Sequence, residues 1–382
     1  MNVPQAGLWK GKGLWVWLLT ISAVGAAILA LQAASAAGQQ ATTLVVDDNK
    51  VQCTDADYTS IQEAVDAASP DTLIKVCAGT YEEQVTFGAD KNDIILDGAG
   101  RDSTTITTPD SLTSGNLVTV NGATDVTVRD FLISGPFPLA GCADEAQGVR
   151  VFGGGSAVIA NNRITEIRSE NPDLRGCQNG IAVVYGDYDP GSGASTSGTG
   201  TILNNVIDRY QKGGIIVSEV GSNATIRDNT ILGVGATPQI AQNGIQVSYG
   251  GQATVRLNGI RDNSYIDPEN DVYDAGGIIL FKPNADTLVG GNTIARNDYN
   301  IGLFNADGMA IRSNRATNGK DLAGIFVNAR STDNIFRDNR AIGNERLDCW
   351  DRSEGPGTSG TANTWIDNIG ETDRPSGICN AP

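Results

Sequence analysis

The sequence predicts an all-β fold, a solenoid of short strands stacked coil upon coil, and three observations carry that expectation. From about residue 116 onward a Gly-Val/Ile-x-Val/Leu tetrad keeps returning. A second signature, an asparagine followed two residues later by an apolar or small residue, lies between its occurrences. The 382 residues include 47 glycines and only 19% charged side chains, and the 3.6-residue periodicity that helical repeats need is absent.

The chain opens with an export segment. Within residues 1–37, Lys10 and Lys12 supply the positive end, Leu14 to Leu31 an apolar stretch, and Ala34-Ser35-Ala36 a small-residue cleavage site. An uncleaved anchor is the alternative, because Gly13 to Leu31 is just long enough to span a bilayer. Both readings send the remainder out of the cytoplasm. In an exported chain, six cysteines with no C-x-x-C spacing point to three disulfides among fifteen connectivities. Spacing favours the nearest-neighbour set: Cys53–Cys77, Cys142–Cys177 and Cys349–Cys379.

Next comes a short amphipathic helix. Ser60 and Glu63 form a capping box, and apolar residues fall at 61, 64, 65 and 68. Such a helix suits the open end of a first coil. Strand Leu73–Val76 follows, then Ala78-Gly79-Thr80-Tyr81-Glu82-Glu83.

The coils themselves are defined by the two signatures. The tetrads begin at Gly148, Gly180, Gly214, Gly244, Gly277, Asn300 and Gly324, at intervals of 32, 34, 30, 33, 23 and 24 residues. The asparagines are Asn162, Asn205, Asn229, Asn258, Asn292, Asn314 and Asn339, at intervals of 43, 24, 29, 34, 22 and 25. Strands of four or five residues with period-2 alternation bury one face only, so each coil needs its neighbours in parallel register to own a core. Inward Val, Ile and Leu then form apolar ladders. One asparagine per coil at a shared corner bonds its amide to the coils on either side, and glycines supply positive-φ corners.

These residues resemble the right-handed parallel β-helices of the pectin-lyase-like superfamily, and the repeat length is closest to its short-repeat, NosD-like branch. The helix–strand–Gly-Thr-Tyr-Glu opening is similar to the start of many secreted members. The segment from Asp348-Cys349-Trp350-Asp351 to Gly377-Ile378-Cys379 resembles the closing segment of bacterial ones. The resemblance covers about residues 44–382 and implies a single-stranded right-handed parallel β-helix with a short N-terminal capping helix. As one domain, residues 38–382 divide into a cap (43–70), coils (71–345) and a closing segment (346–382). On this fold Cys142 and Cys177 share one edge of adjacent coils, while the other two bridges clamp the ends.

Composition excludes several functions. With no histidine there is no Ser-His-Asp or Cys-His catalysis, no imidazole base and no imidazole metal ligand. Net charge is −17, and −19 without residues 1–37, which disfavours nucleic acid and anionic lipid. Capped ends favour a monomer.

Insertions at 165–179, 233–243 and 262–275 enter the Gly-Ile strand from one edge, and 184–200 leaves it at the other, so loops wall a groove over its outer face. In polysaccharide-active members of the superfamily the substrate lies on such a face. Alternation puts Arg150, Ala182, Ile216, Gln246, Ile279, Gly302 and Phe326 in one outward row. The other row is Phe152, Val184, Ser218, Ser248, Phe281, Phe304 and Asn328. Neither row carries the carboxylates that hydrolysis needs. Phe152, Phe281, Phe304, Gln246 and Ser248, with Tyr188 on a Gly/Ser/Thr-rich wall loop, read as a sugar-stacking surface. Loops folded over these apolar residues are the plainer alternative.

Two further clusters bear on chemistry. Asp267, Glu269, Asp271 and Asp274 are hard oxygen ligands suited to calcium, without EF-hand spacing; a solvated acidic loop is the alternative. Asp208-Arg209-Tyr210-Gln211-Lys212 precedes a Gly-Ile strand. The superfamily's lyases imply Arg or Lys as base and Tyr as acid, so Arg209, Tyr210 and Lys212, or Arg150 and Lys282, are the candidates; structural ion pairs explain the same cluster. The leading expectation is an extracellular protein binding carbohydrate without catalysis. The alternative is a calcium-dependent lyase acting on uronate glycans. Metal-site maturation, which the NosD-like label implies, fits poorly with no histidine and two methionines.

Overall fold

The computed structural model describes residues 42–189, 194–266 and 274–381. The expected export segment, residues 1–37, lies outside them, as do Asp267, Glu269 and Asp271. The chain visits three parallel sheets in turn, one strand of each per coil. Sheet 1 runs in 12 strands from Thr43–Val46 to Thr364–Ile366. Sheet 2 has 10, from Gly79–Glu82 to Arg340–Ile342, and sheet 3 has 11, from Val85–Phe87 to Asp373–Arg374. This is the expected β-helix. The hairpin of Asp187–Asp189 and Ala194–Thr196 is antiparallel and stands apart from the coils.

Alternation inside each strand builds the core. In sheet 3, Val149, Val183, Ile215, Ile245, Ile278, Ile301 and Ile325 stack in register, each wholly buried. Each contributes about 1.5–3 kcal/mol relative to exposure.

The corner between sheets 1 and 2 holds the asparagine ladder. Each amide from Asn162 to Asn339 donates to the amide oxygen of the next coil, and the series continues to Asn368. The residue before each rung is left-handed, but glycine is not what fills most of these positions. Asn161, Asn204, Asp228 and Leu257 take φ of 58°, 53°, 58° and 57°. Asn and Asp tolerate this region because their short polar side chains bond locally. Leu257, 60% exposed, is held there by its ladder neighbour. A second amide ladder, Asn263 to Asn297 at 2.9 Å, lines the next corner.

One register differs from expectation. Arg150 pairs with Val184, and Val184 with Ile216. Val184 therefore occupies the first outward row, and Ala182 turns inward, in the column of Gly148 and Gly214. Gly180 imitates the repeating glycine, yet it is the corner of the incoming loop, with φ 81° and no room for a side chain, since a Cβ there would stand 2.3 Å from that of Gln211.

The ends are covered as anticipated. Helix α1, Ile61–Ala67, buries Ile61, Ala64 and Val65 in the core, and Ser60 Oγ accepts from Glu63 N. The acid that completes the cap is Glu83 rather than Glu63: it accepts from Ser60 Oγ, Ile61 N and Gln62 N. All three expected disulfides form, with Cα–Cα separations of 6.4, 5.1 and 6.4 Å. At the far end Trp365 stacks on Phe336 at 4.0 Å and donates Nε1 to Asp351 Oδ2 at 2.9 Å.

Candidate functional site

The outward face of sheet 3 divides into a closed half and an open half. In the closed half Arg150 is 8% exposed and ion-paired with both Glu145 and Asp187, and its guanidinium lies 4.9 Å from the Phe152 ring. Two carboxylates neutralise this arginine and bury it, so Arg150 is structural, and Phe152 is its packing partner rather than a sugar platform. Tyr188 lies in the strand Asp187–Asp189, and its side chain is outside the described residues.

The open half is a groove of about 990 Å³. Its floor is formed by Ile216, Gln246, Ile279, Phe281, Phe304 and Phe326, with Lys212, Ala241, Tyr249, Asp274 and Arg352 among its walls. Aromatic rings follow one another along it: Tyr249 to Phe281 at 5.3 Å, Tyr299 to Phe304 at 5.8 Å, Phe304 to Phe326 at 5.6 Å and Phe326 to Trp350 at 5.4 Å. Arg346 and Arg352 lie 4.8 and 5.8 Å from the Trp350 ring, and Lys282 lies 5.3 Å from that of Phe281.

Gln246 is oriented by its neighbours. It accepts from Asn243 Nδ2 at 2.9 Å and donates to Ser248 Oγ at 3.1 Å. Ser248 is fully buried, donating in turn to Ser218, so it supports Gln246 and does not itself face the groove.

The cluster at 208–212 does not act as a unit. Alternation turns consecutive side chains to different faces. Arg209 sits at a left-handed corner, ion-paired with Glu166 on the outside. Tyr210 is fully buried, its hydroxyl donating to Asn263 Oδ1, and burial pushes its ionisation far up, which removes it as a proton donor to substrate. Only Lys212 faces the groove. Its Nζ donates to Ala241 O at 2.7 Å, and burial lowers its pKa from 10.5 to about 8.

Sequence reasoning missed an acidic pair. Asp274, on the groove wall, lies close to the Asp321 carboxyl, and burial, then the charges of Asp321 and Asp298, raise its pKa to about 6. The two residues belong to loops entering sheet 3 two strands apart, with Asp298 on the loop between them, and no motif announces their meeting. Among the described residues no group of three His, Cys, Asp or Glu is placed to hold a metal ion.

A family model described as right handed beta helix region matches residues 192–368, and one for pectinesterase matches residues 44–165. Among solved structures, the chain is similar to the GH136 lacto-N-biosidase from Eubacterium ramulus at 16% identity and a TM-score of 0.57. That likeness covers 89% of this chain and 66% of the other, just under two thirds of its length. XylC, solved in complex with xylose, aligns at 12% identity and a TM-score of 0.57, over 80% of this chain and 70% of that one. No curated protein matches the sequence. The protein is thus a right-handed parallel β-helix. These identities establish the fold, and activity has to be argued from the groove.

Proposed function

We propose that this is an exported protein that binds carbohydrate along the open half of sheet 3. The observation that carries this reading is the floor: an apolar and aromatic strip from Ile216 to Phe326, interrupted by an amide, Gln246, that its neighbours hold in place. Sugar rings present apolar faces to aromatic side chains and hydroxyls to fixed amides. Three disulfides fit an oxidising compartment. The test is a glycan array followed by calorimetry on the best ligand. Phe304→Ala and Gln246→Ala are each expected to weaken binding about tenfold, in line with the loss of one anchoring contact. Full affinity in both variants would remove the groove from consideration.

A second reading, elimination on a uronate glycan, is favoured by Lys212. An amine with a pKa of about 8 on a groove wall is poised to take a proton. Its calcium would be held by the acidic loop that ends at Asp274. Growth of absorbance near about 235 nm with uronate polysaccharides, dependent on calcium and abolished by Lys212→Met, would establish it. A flat trace from folded protein across the panel leaves binding alone.

A further inference from the structure

A second, smaller cavity of about 70 Å³ opens between residues 168–175 and 234–242, with Tyr210 and Gln211 also lining it. Gln211 and Gln242 line it with side chains already committed: Gln211 bonds Ser169 N, Leu174 O, Cys177 O and Asn179, and Gln242 bonds Val234 N and Tyr210 O. Arg168 and Arg175 also line it, and they have donors to spare. Arg168 Nε is buried with no hydrogen-bond partner, and so is Oγ of the neighbouring, fully buried Ser169. Arg175 donates Nε to Ser169 O at 3.2 Å and has no carboxylate partner among the described residues.

The charge around this cavity is unbalanced. Glu166 alone serves both Arg168 and Arg209, while Glu170 and Asp173 on the same loop are exposed and pair with none of these arginines. Burial, together with the positive charges of Arg175 and Arg209, disfavours the charged form of Arg168. In a chain with 44 acidic and 27 basic residues, cations gathered without matching carboxylates are out of character. Buried donors left without acceptors carry a desolvation cost that an anion would relieve.

We propose that this cavity binds an oxyanion group through the guanidinium groups of Arg168 and Arg175. The space admits a sulfate, a phosphate or a carboxylate, not a whole sugar chain. The group arrives either as a free ion or as the acidic substituent of a saccharide whose remainder stays outside. This site stands on different residues from the groove floor and does not depend on the groove binding glycan.

The experiment is calorimetric titration of the full secreted chain at matched ionic strength with sodium sulfate, galactose 6-sulfate and glucuronate, against sodium chloride. Saturable one-to-one binding of sulfate assigns a free ion, whereas binding only of the sugar sulfate or sugar acid assigns a substituent. Arg175→Gln is expected to weaken the response at least about tenfold and Arg175→Lys to restore most of it, because the lost contact is a charge-assisted one. Arg168→Gln should act likewise; Arg175 is the cleaner position because it lies on a surface loop without an ion pair to break. No saturable response beyond chloride to any of the three, or equal responses from wild type and a folded Arg175→Gln protein, overturns the proposal.

Discussion

Asn205 donates its Nδ2 hydrogen to Asn229 Oδ1 at 3.0 Å, and its backbone N–H reaches the same oxygen at 3.0 Å. Asn229 passes the bond on to Asn258 and also donates to Ile202 O. Truncating it leaves donors and a carbonyl unpaired in a site that is 1% exposed. Asn229→Ala is therefore expected to cost about 3 kcal/mol or more, since each buried orphan costs about 1–3 kcal/mol. Guanidinium denaturation monitored by circular dichroism reads this as a lower midpoint.

The inward column at the start of the sheet 3 strands tests packing. A methyl on Gly244 would stand 2.6 Å from both Gly277 O and Ile260 Cγ2, whereas Ala182 fills the same column in its own coil. Gly244→Ala is expected to destabilise by about 1–3 kcal/mol through overpacking. Ala182→Gly should lose less than about 1.5 kcal/mol, a small cavity and added chain entropy. The same denaturation measurement ranks the two.

Asp274 gives stability a pH dependence of known sign. Unfolded, its carboxyl loses its proton near about 4; folded, near about 6. Between these values the folded chain binds more protons, so stability falls as pH rises from 4 to 6. Asp274→Asn should make that fall shallower, leaving the part due to Asp298, whose carboxyl burial also raises. Melting temperatures of both proteins from pH 4 to 7 check it.

Lys212 acts in the opposite direction. Its folded pKa of about 8 lies below the unfolded value of about 10.4, so from pH 8 upward the unfolded chain binds more protons and stability rises. Lys212→Met should flatten the melting temperature between pH 7.5 and 9.5. A wild-type profile without that rise would mean that the amine is better solvated than its burial implies.

The Cys142–Cys177 bridge closes 35 residues of chain between two loops. Replacing both cysteines with serine should cost about 3–4 kcal/mol on chain-entropy grounds. The loops at 137–146 and 168–179 are expected to be cleaved first in limited proteolysis, with the later coils intact, because coils contact mainly their neighbours.

The fold was legible because its determinants recur: a tetrad and an asparagine that return coil after coil report a stack without any knowledge of long-range contacts. Where the period was imitated the reading slipped, as when Gly180 stood in for a core glycine and moved Ala182 to the wrong face. Phe281, Phe304 and Gln246 were readable as groove residues by alternation within regular strands. Tyr210 was not, since a corner residue beside Arg209 obeys the corner and not the strand. Trp350 extends the row of Phe326 only once the closing segment is known to stay in register, and Asp274 meets Asp321 across two irregular loops. Such meetings depend on loop paths that short-range pattern does not encode.

Helix α1 at one end and the Cys349–Cys379 segment at the other have a consequence for the protein's behaviour in company. A parallel stack is by nature a template: its terminal strands offer open hydrogen-bonding edges and an apolar cross-section to whatever has the same spacing, including another copy of itself. Ile61, Ala64 and Val65 cover one cross-section, and Ile378 and Cys379 pack into the other. The covers close the stack at both cross-sections, so that the number of coils is written in the chain itself.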